Sequence, residues 1–259
     1  MSDNGELQPF ARLDQLMVER GIAQSRSRAA DAVSRGTVMV DGEKALKPAQ
    51  KIAPSSKITI DDPASEYVSR AALKLINALD EFNFDPSDCI CLDIGCSTGG
   101  FTQVLAKRGA SHIFAVDVGH DQFHPSLSEY ENVTLHEGLN IRDLEAQHVT
   151  LEGHLEPAIG GIVCDVSFIS LKLALPAALK LASNGTWAAI LVKPQFEVGK
   201  EGVGRGGIVR EEGASQKVAE EIADWLAQIE GWEVTGLVQC PITGGDGNQE
   251  YMLGARFSG

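Results

Sequence analysis

Residues 93–102 read DIGCSTGGFT and carry the most specific local signal in the chain. They follow the apolar run CICL directly and lead into a segment with helical periodicity, which indicates a turn between a strand and a helix. Glycines at such a turn let the backbone bend sharply and approach a ligand. The spacing is GxxxGG, which is neither the GxGxxG of dinucleotide sites nor the GK[ST] ending of a phosphate loop. The stretch predicts a ligand-binding turn, with a purely structural turn as the alternative.

The segments around this turn alternate between apolar strands and helical patterns. The seven predicted strands are 89–95, 112–119, 132–138, 160–167, 186–194, 232–241 and 251–257. Helices are expected at about 67–82, 99–108, 170–183 and 210–230. This alternation predicts a seven-stranded, Rossmann-like α/β sheet, mostly parallel and covered on both faces. Because no helix separates the last two strands, we expect one of them to run antiparallel at the sheet edge.

Polar residues follow the second and third of these strands. Asp117 lies 24 residues after Asp93. An acid at this position can accept hydrogen bonds from both ribose hydroxyls of a bound nucleoside, although it can also simply cap a strand end. Asn140 and Asp143 either flank the adenine or cap a short helix. The absence of a diphosphate-binding pattern favours a nucleoside cofactor over a dinucleotide.

Four charged residues stand near the ends of apolar segments: Lys74, Asp165, Lys193 and Glu250. Buried charges are unfavourable unless they are paired. Two lysines and two carboxylates would neutralise one another at the carboxyl edge of the sheet, where ligands bind in this architecture. Each residue alone is compatible with an ordinary charge at the surface. Their joint placement favours a functional cluster.

Such a cluster suits the methylation of a ribose hydroxyl. This hydroxyl is a very weak acid, so its oxygen needs a base as it attacks a sulfonium methyl group. A lysine can serve when burial and a neighbouring cation lower its pKa. Lys193 is the candidate base, and Lys74 is the cationic neighbour that helps to hold the hydroxyl. Asp165 and Glu250 would orient the two amines.

The first 62 residues differ from the rest in charge. They contain nine Lys or Arg and nine Asp or Glu, so the whole net charge of −14 falls in the remainder of the chain. Their predicted elements are helices at 11–20 and 25–35, the second capped by Ser25, and strands at 37–42 and 57–61. The acidic total argues at first against nucleic acid, since phosphates require a basic surface. Within residues 1–62 the positive and negative charges are equal in number, so the acidic total does not argue against nucleic-acid binding by this part of the chain.

Eight basic residues are candidates for contacts to RNA. Five are concentrated near the N-terminus, and three lie in a glycine-rich segment at 194–210 that joins a strand to a helix. A long loop at the ligand edge of a sheet is usually a lid or a binding loop, and the alternative is a surface excursion without function. The candidates are Arg12, Arg20, Arg26, Arg28, Arg35, Lys200, Arg205 and Arg210.

Other features of the sequence argue against membrane and metal functions. No apolar run approaches the roughly 20 residues needed to span a bilayer, and residues 1–10 do not resemble a secretion signal. We therefore expect a cytoplasmic protein. The five cysteines lack CxxC spacing and are expected to be small buried thiols. The six histidines show no ligand spacing such as HxxxH, so no metal is implied.

Six motifs together resemble the haemolysin A (TlyA-type) family of ribosomal RNA 2′-O-methyltransferases, whose catalytic domain is similar to the FtsJ type. They are SRAALKL (69–75), DIGCSTGGFT (93–102), VDVG (116–119), CDVSFISL (164–171), LVKPQFEVG (191–199) and NQEYML (248–253). Residues 12–42 resemble the RNA-binding module first seen in ribosomal protein S-four (S4). FtsJ-type glycine loops usually contain a proline, where this chain has Ser97 and Thr98, as the haemolysin-like branch does.

The resemblance implies a domain organisation and a chemistry. It implies an S4-type domain at 10–62, a linker at 63–68 and an FtsJ-like domain at 69–259. It implies a Lys-Asp-Lys-Glu tetrad on the four charged residues named above, and S-adenosylmethionine as cofactor. The residues expected to bind the cofactor are Asp93, Gly95, Cys96, Ser97, Thr98, Gly99, Gly100, Phe101, Asp117, Asn140 and Asp165.

The expected partner is ribosomal RNA or a ribosomal subunit, methylated on cytidine ribose in the small and possibly the large subunit. The protein is expected to act as a monomer without a metal or a membrane. The main alternative is a non-catalytic RNA-binding or ribosome-assembly factor. The intact Lys193 and the glycine turn favour an enzyme over this alternative. A haemolysin is a further alternative, but it would require a membrane-active segment, and the sequence shows none.

Overall fold

A computed structural model describes residues 10–153, 158–209 and 213–259 of the chain. Its internal contacts separate two compact units, and the division falls between Glu66 and Tyr67. Each unit encloses its own buried apolar residues. Residues 63–66, the start of the expected linker, form a short 3₁₀ helix.

The N-terminal unit combines two helices with two small antiparallel sheets around one apolar core. Its elements are β1 (Ala11–Arg12), α1 (Leu13–Glu19), α2 (Arg26–Arg35), β2 (Val38–Val40), β3 (Glu43–Lys44), β4 (Lys51–Ile52) and β5 (Ile58–Ile60). Both predicted helices are confirmed. Ser25 caps α2 because its side chain accepts a hydrogen bond from the backbone N–H of Arg28, and Gly36 ends the helix in the left-handed conformation.

Three strands of this unit are absent from the sequence prediction. They are β1, β3 and β4, each two residues long. β1 and β4 pair antiparallel with each other, and β3 pairs antiparallel with β2. A strand of two residues has no alternation of apolar and polar side chains, so periodicity cannot reveal it. The two predicted strands exist as β2 and β5, which pair with each other and are shorter than expected.

The second unit is a seven-stranded sheet with helices along it, as predicted. Its strands are β6 (Ile90–Ile94), β7 (His112–Asp117), β8 (Val133–Glu137), β9 (Ile159–Cys164), β10 (Ala182–Val192), β11 (Trp232–Gln239) and β12 (Tyr251–Phe257). Its helices are α3 (Ala72–Phe82), α4 (Gly100–Lys107), α5 (Leu171–Ala174), α6 (Pro176–Leu179), α7 (Gly199–Gly202) and α8 (Ala214–Ala227). The Rossmann-like α/β class expected from the sequence is confirmed.

The strand order is β11-β12-β10-β9-β6-β7-β8. Neighbours from β10 to β8 run parallel, whereas β12 pairs antiparallel with both β10 and β11. One of the last two strands, β12, runs antiparallel as expected. The expectation that this strand lies at the sheet edge is wrong, because β11 forms the edge. Residues 240–250 connect β11 to β12 without a helix. β12 lies between β11 and β10, and its residues Tyr251–Ala255 are buried.

Two predicted helices differ from the structure in their bounds. The helix expected at 67–82 begins at Ala72. The helix expected at 170–183 is divided into α5 and α6 at Leu175 and Pro176, and β10 already begins at Ala182. Proline at the first position of α6 fits a helix start, since its missing N–H would have no partner there.

This topology places the ends of several strands at one edge. β6, β7, β8, β9 and β10 all end there, and the antiparallel β12 begins there. Ligands of open α/β sheets bind outside this carboxyl edge, where the strand order changes direction. The same edge carries the residues described next.

Candidate active site

The sheet register brings the predicted charged residues together. Asp165 follows β9 and Lys193 follows β10, and these strands pair through Cys164 and Ile190. Glu250 precedes β12, whose first residue, Tyr251, lies opposite Val192. Lys74 reaches the same edge from α3 and forms an ion pair with Glu250. The four residues therefore meet at the carboxyl edge of the sheet.

The cluster consists of two ion pairs that differ in exposure. Lys193 Nζ lies 2.5 Å from Asp165 Oδ1, and their side chains are 13% and 18% exposed. Lys74 and Glu250 are 7% and 3% exposed. Gln195 approaches Glu250, with 3.5 Å between Nε2 and Oε1. Each buried charge thus has a partner of opposite sign, which offsets the desolvation that burial requires.

A cavity of about 510 Å³ opens beside the exposed pair. Its size lies within the range of small-molecule sites, and apolar residues line most of it. Polar groups stand at a few points of the wall, among them Asp117, Asn140 and Asp165. The walls consist of Gly95, Ser97, Val116, Asp117, Val118, Gly119, Gln122, Leu139, Asn140, Ile141, Asp165, Val166, Ser167, Phe168 and Ile169.

Asp117 is held at this cavity by backbone donors. Its Oδ2 accepts a hydrogen bond of 2.8 Å from the Ser97 N–H, and its Oδ1 accepts one of 2.7 Å from the Gly119 N–H. Each carboxylate oxygen has a second lone pair for another donor. The arrangement suits the two hydroxyls of a ribose, as the sequence predicted.

The glycine turn brings backbone close to backbone. Gly95 has φ +78°, and a Cβ placed on it would lie 2.7 Å from the carbonyl oxygen of Asp165. Gly99 has φ +88° and is the residue before α4. A side chain at Gly95 would therefore displace the strand end that carries Asp165. The turn leaves room for a ligand because glycine is present here.

A second, smaller cavity of about 70 Å³ shares Gly95, Ser97 and Asp165 with the large one. Its remaining walls are Ser69, Ala71, Cys96, Thr98, Gly100 and Phe101. The two cavities together offer a roomy, mostly apolar compartment and a narrow compartment at the start of α4. This division fits a nucleoside with a short, charged amino-acid chain attached.

The remaining residues predicted to hold the cofactor have different positions. Asn140 lines the large cavity and also caps a short 3₁₀ helix, where its side chain accepts a hydrogen bond from the Arg142 N–H. The capping role is confirmed, and contact with the adenine stays a prediction. Asp143 is exposed outside the cavity wall. Asp93 is fully buried and lies in neither wall. Its Oδ2 accepts a hydrogen bond of 2.5 Å from Thr102 Oγ1.

The carboxyl group of Asp93 has a raised pKa. Burial raises this pKa to about 7, and the nearby carboxylates Asp165 and Asp117 act in the same direction. The hydrogen bond from Thr102 opposes this shift.

Sequence reasoning missed two residues of this edge, Ser167 and Phe168. Phe168 is 91% exposed, has φ +65° and stands beside Phe196, with 5.0 Å between the ring centroids. A bulky residue with positive φ is a conformational outlier, and such outliers cluster at functional sites. Ser167 Oγ accepts a hydrogen bond of 2.8 Å from Lys193 Nζ. Ser167 lies in the predicted strand 160–167, but the strand ends at Cys164, so both residues stand in the loop that follows it.

The glycine-rich segment is hydrogen-bonded to the loop that precedes β12 and carries Glu250. Asn248 is buried, its Nδ2 donates a hydrogen bond to the Gly207 carbonyl, and its Oδ1 accepts one from the Val209 N–H. The segment also closes on itself through the Gly204 N–H and the Ile208 carbonyl. Of the three basic residues predicted here, Arg210 lies outside the described residues, as do the side chains of Lys200 and Arg205.

The N-terminal arginines divide into two groups. Arg35 is only 15% exposed and binds Asp62 through two contacts of 2.6 Å, so its guanidinium serves the fold of this unit rather than a free basic surface. Burial raises the pKa of Asp62, but the hydrogen bonds from Arg35 and from the Ala64 N–H, together with the positive charges of Arg35 and Arg28, outweigh burial and hold the pKa below its usual value. Arg20 and Arg28 donate to the backbone carbonyls of Pro54 and Ala64.

Arg12 and Arg26 are more exposed and share one buried carboxylate. Asp14 lies 2.8 Å from Arg12 and 3.2 Å from Arg26. Hydrogen bonds from Arg12 lower the pKa of Asp14 to about 2. The two guanidiniums are thereby held at one carboxylate, at the starts of α1 and α2.

Within the described ranges, no helix has the length and apolar content to cross a membrane. In the same part of the chain, no group of three or more histidine, cysteine or acidic side chains is arranged to hold a metal ion. All five cysteines are free, and four of them are buried as expected.

Two family models match the chain. The model described as FtsJ-like methyltransferase matches residues 67–257, and the model described as S4 domain matches residues 11–58. Together they cover most of both compact units. The first model alone spans well over half of the chain.

Known proteins resemble the chain over nearly its whole length. The 16S/23S rRNA (cytidine-2′-O)-methyltransferase TlyA of Mycobacterium tuberculosis is 41% identical over 251 residues, which are 95% of this chain and 90% of that protein. Hemolysin A of Brachyspira hyodysenteriae is 37% identical over 241 residues, covering 93% and 98%. A solved structure from Streptococcus thermophilus, described as a suspected hemolysin, has a TM-score of 0.72 at 39% identity and covers 96% and 89%.

Proposed function

The chain belongs to the FtsJ-like methyltransferase family, in the haemolysin A (TlyA) branch with an N-terminal S4 domain, and on that basis we propose that it is an S-adenosylmethionine-dependent ribosomal RNA 2′-O-methyltransferase. One observation carries the proposal beyond family membership. The Lys193–Asp165 ion pair stands at the cavity edge, and Asp165 lines both compartments. A base is thus placed beside the compartments that suit the cofactor.

The two cavities suit different parts of the cofactor. Asp117 would accept hydrogen bonds from the ribose hydroxyls, and Val118, Leu139 and Ile141 would enclose the adenine. The narrow compartment at the start of α4 would hold the amino-acid end, since free backbone N–H groups at a helix start favour a carboxylate. When bound, this cofactor supplies an electrophilic methyl group on a sulfonium.

Lys193 acts on the ribose hydroxyl in this proposal. Its amine would take up the 2′-hydroxyl proton as the oxygen bonds to the methyl carbon and the bond from that carbon to the sulfonium sulfur breaks, and Asp165 would keep the amine in place. Holding the nucleophile in line contributes several kcal/mol to catalysis, on the order of the gain for oriented reactants. Lys74 and Glu250 fix the strand beside it, with Lys74 supplying a cation near the oxygen.

Phe168 gives the RNA a place to dock. An exposed aromatic ring can stack on an unpaired base, which contributes about 1–3 kcal/mol per base. A nucleotide whose ribose reaches Lys193 must leave its helix, because a paired ribose is held in the duplex. The Phe168 ring, backed by Phe196, would support such an extruded base.

The substrate assignment extends to cytidine because the Mycobacterium tuberculosis relative is named for it. In the N-terminal unit, Arg12 and Arg26 would hold phosphates of the ribosomal RNA. We place the protein in the cytoplasm, where that RNA is assembled, and propose that it works without a metal.

Labelled cofactor and unmodified ribosomal subunits test this function. Purified protein is incubated with methyl-labelled S-adenosylmethionine and small or large subunits, and the modified ribose is mapped. We expect label on a cytidine 2′-oxygen. Lys193→Ala should abolish transfer while retaining subunit binding, and the exposed control Lys180→Ala should be unaffected. Binding without transfer by the natural chain would identify an assembly factor instead.

A further inference from the structure

The amine of Lys193 contacts two oxygen atoms of one short loop, one through an ion pair and one through a hydrogen bond. Asp165 Oδ1 lies 2.5 Å from Nζ, and Ser167 Oγ accepts a hydrogen bond from Nζ at 2.8 Å. The two acceptors are two residues apart in the loop that follows β9. Ser167 also lines the 510 Å³ cavity and is exposed toward it.

The number of acceptors determines how the amine is oriented. A lysine nitrogen has four tetrahedral directions, one of which is the bond to Cε. A single acceptor would leave the nitrogen free to rotate about the line that joins the two atoms. An ion pair to Asp165 and a hydrogen bond to Ser167 together restrict that rotation, so a remaining direction of the nitrogen is available to a third group.

We propose that Ser167 is a positioning residue, whose hydroxyl works with Asp165 to fix the Lys193 amine so that its remaining direction meets the ribose 2′-hydroxyl. The inference rests on the proposed function, in which Lys193 acts on that hydroxyl. Ser167 contributes through the lysine and not through the cofactor.

The loop is built to hold Ser167 in place. At its start, the Asp165 N–H donates a hydrogen bond of 2.8 Å to the Ile94 carbonyl. At its end, Glu197 accepts hydrogen bonds from Ser170 Oγ at 2.6 Å and from the Leu171 N–H at 2.8 Å. Between these anchors, the positive φ of Phe168 bends the chain back. The hydroxyl position is therefore set by a fixed backbone, which a positioning role requires.

The test compares four variants in the methyl-transfer assay: Ser167→Ala, Ser167→Thr, Lys193→Ala and Ser111→Ala. Ser111 is an exposed serine near the opposite edge of the sheet and serves as the matched control. Misplacing a reacting group by about 1 Å can lower a rate by roughly a hundredfold. We expect Ser167→Ala to lower kcat by about tenfold to a hundredfold. Its Kd for S-adenosylmethionine should stay within about threefold of the natural protein, and Ser167→Thr should recover most of kcat.

The outcomes separate this inference from the proposed function. Full transfer by Lys193→Ala would overturn the function of that lysine, and this inference with it. An inactive Lys193→Ala beside a fully active Ser167→Ala would overturn the inference alone. A Ser167→Ala variant with a weakened cofactor Kd, or a Ser167→Thr variant that does not recover, would likewise count against a hydrogen bond to the lysine. Ser111→Ala should match the natural chain throughout.

Discussion

The buried pair between Lys74 and Glu250 allows a quantitative test of the site's construction. The side chains are 7% and 3% exposed, so removing either charge leaves the other buried without its partner. Breaking a buried pair in this way typically destabilises a protein by about 3–5 kcal/mol. For a unit of this size, such a loss lowers Tm by about 6–20 °C. We expect these changes for Lys74→Met and for Glu250→Gln.

The double variant Lys74→Met/Glu250→Gln should be more stable than the two single changes predict. With both charges gone, no unpaired charge remains, so we expect a coupling energy of about 2 kcal/mol or more. Calorimetry without cofactor measures all three variants. Asp80→Asn breaks the exposed pair with Arg108, whose side chains are 56% and 39% exposed, and should cost less than about 1 kcal/mol.

Additivity of the two single changes would refute this account, because it would mean that the charges do not depend on each other. The methyl-transfer assay adds a second criterion. The double variant should be stable yet deficient in transfer, since the cation beside the hydroxyl is missing. Recovery of both stability and transfer would reduce the pair to a structural role.

Three further predictions concern the edge of the sheet. Burial raises the pKa of Asp93 in the folded protein to about 7. The protonated carboxyl therefore contributes fully to the free energy of unfolding below the pKa of the unfolded chain, which is near 4, and this contribution is lost as pH rises through 7. Asp93→Asn should therefore raise Tm above pH 7 but not at pH 4, and an equal effect at both would contradict the shift. Phe168→Ala should raise KM for RNA about tenfold or more with cofactor Kd unchanged, whereas Phe168→Trp retains binding. Asn248→Ala should speed hydrogen exchange at residues 203–209 and lower kcat, while unchanged exchange would show that other contacts hold the segment.

The sequence predicted the sheet because its central strands contain buried apolar runs. Residues 162–164 of β9 and residues 187–192 of β10 form such runs, which are visible without a structure. The position of β12 between β10 and β11 was not visible, because an apolar run does not show which strands it pairs with. The two-residue strands of the N-terminal unit lacked any pattern. The break at Pro176 was available in principle, since proline disfavours the interior of a helix.

The sequence indicated the four charged residues that meet at the sheet edge because their placement was locally unfavourable. Lysines and carboxylates in apolar segments are conspicuous, because burial without a partner is unfavourable. Ser167 and Phe168 were missed because their significance lies in a loop conformation, and a positive φ at phenylalanine has no sequence signature. Arg35 shows the converse error. It counted as a basic surface residue, but its partner Asp62 is 27 positions away, and only the fold brings the two together.

The difference in exposure between the two lysines decides which of them can act on a substrate. Both belong to ion pairs, so charge alone does not distinguish them. Lys74 and Glu250 are almost fully enclosed, and a ribose could reach that amine only by opening the pair. The carboxylate that holds Lys193 lines both cavities, and its amine has one direction free beside Asp165 and Ser167. In the proposed function, a ribose hydroxyl in the cavity would therefore approach Lys193, while the enclosed pair would hold that edge of the sheet in place.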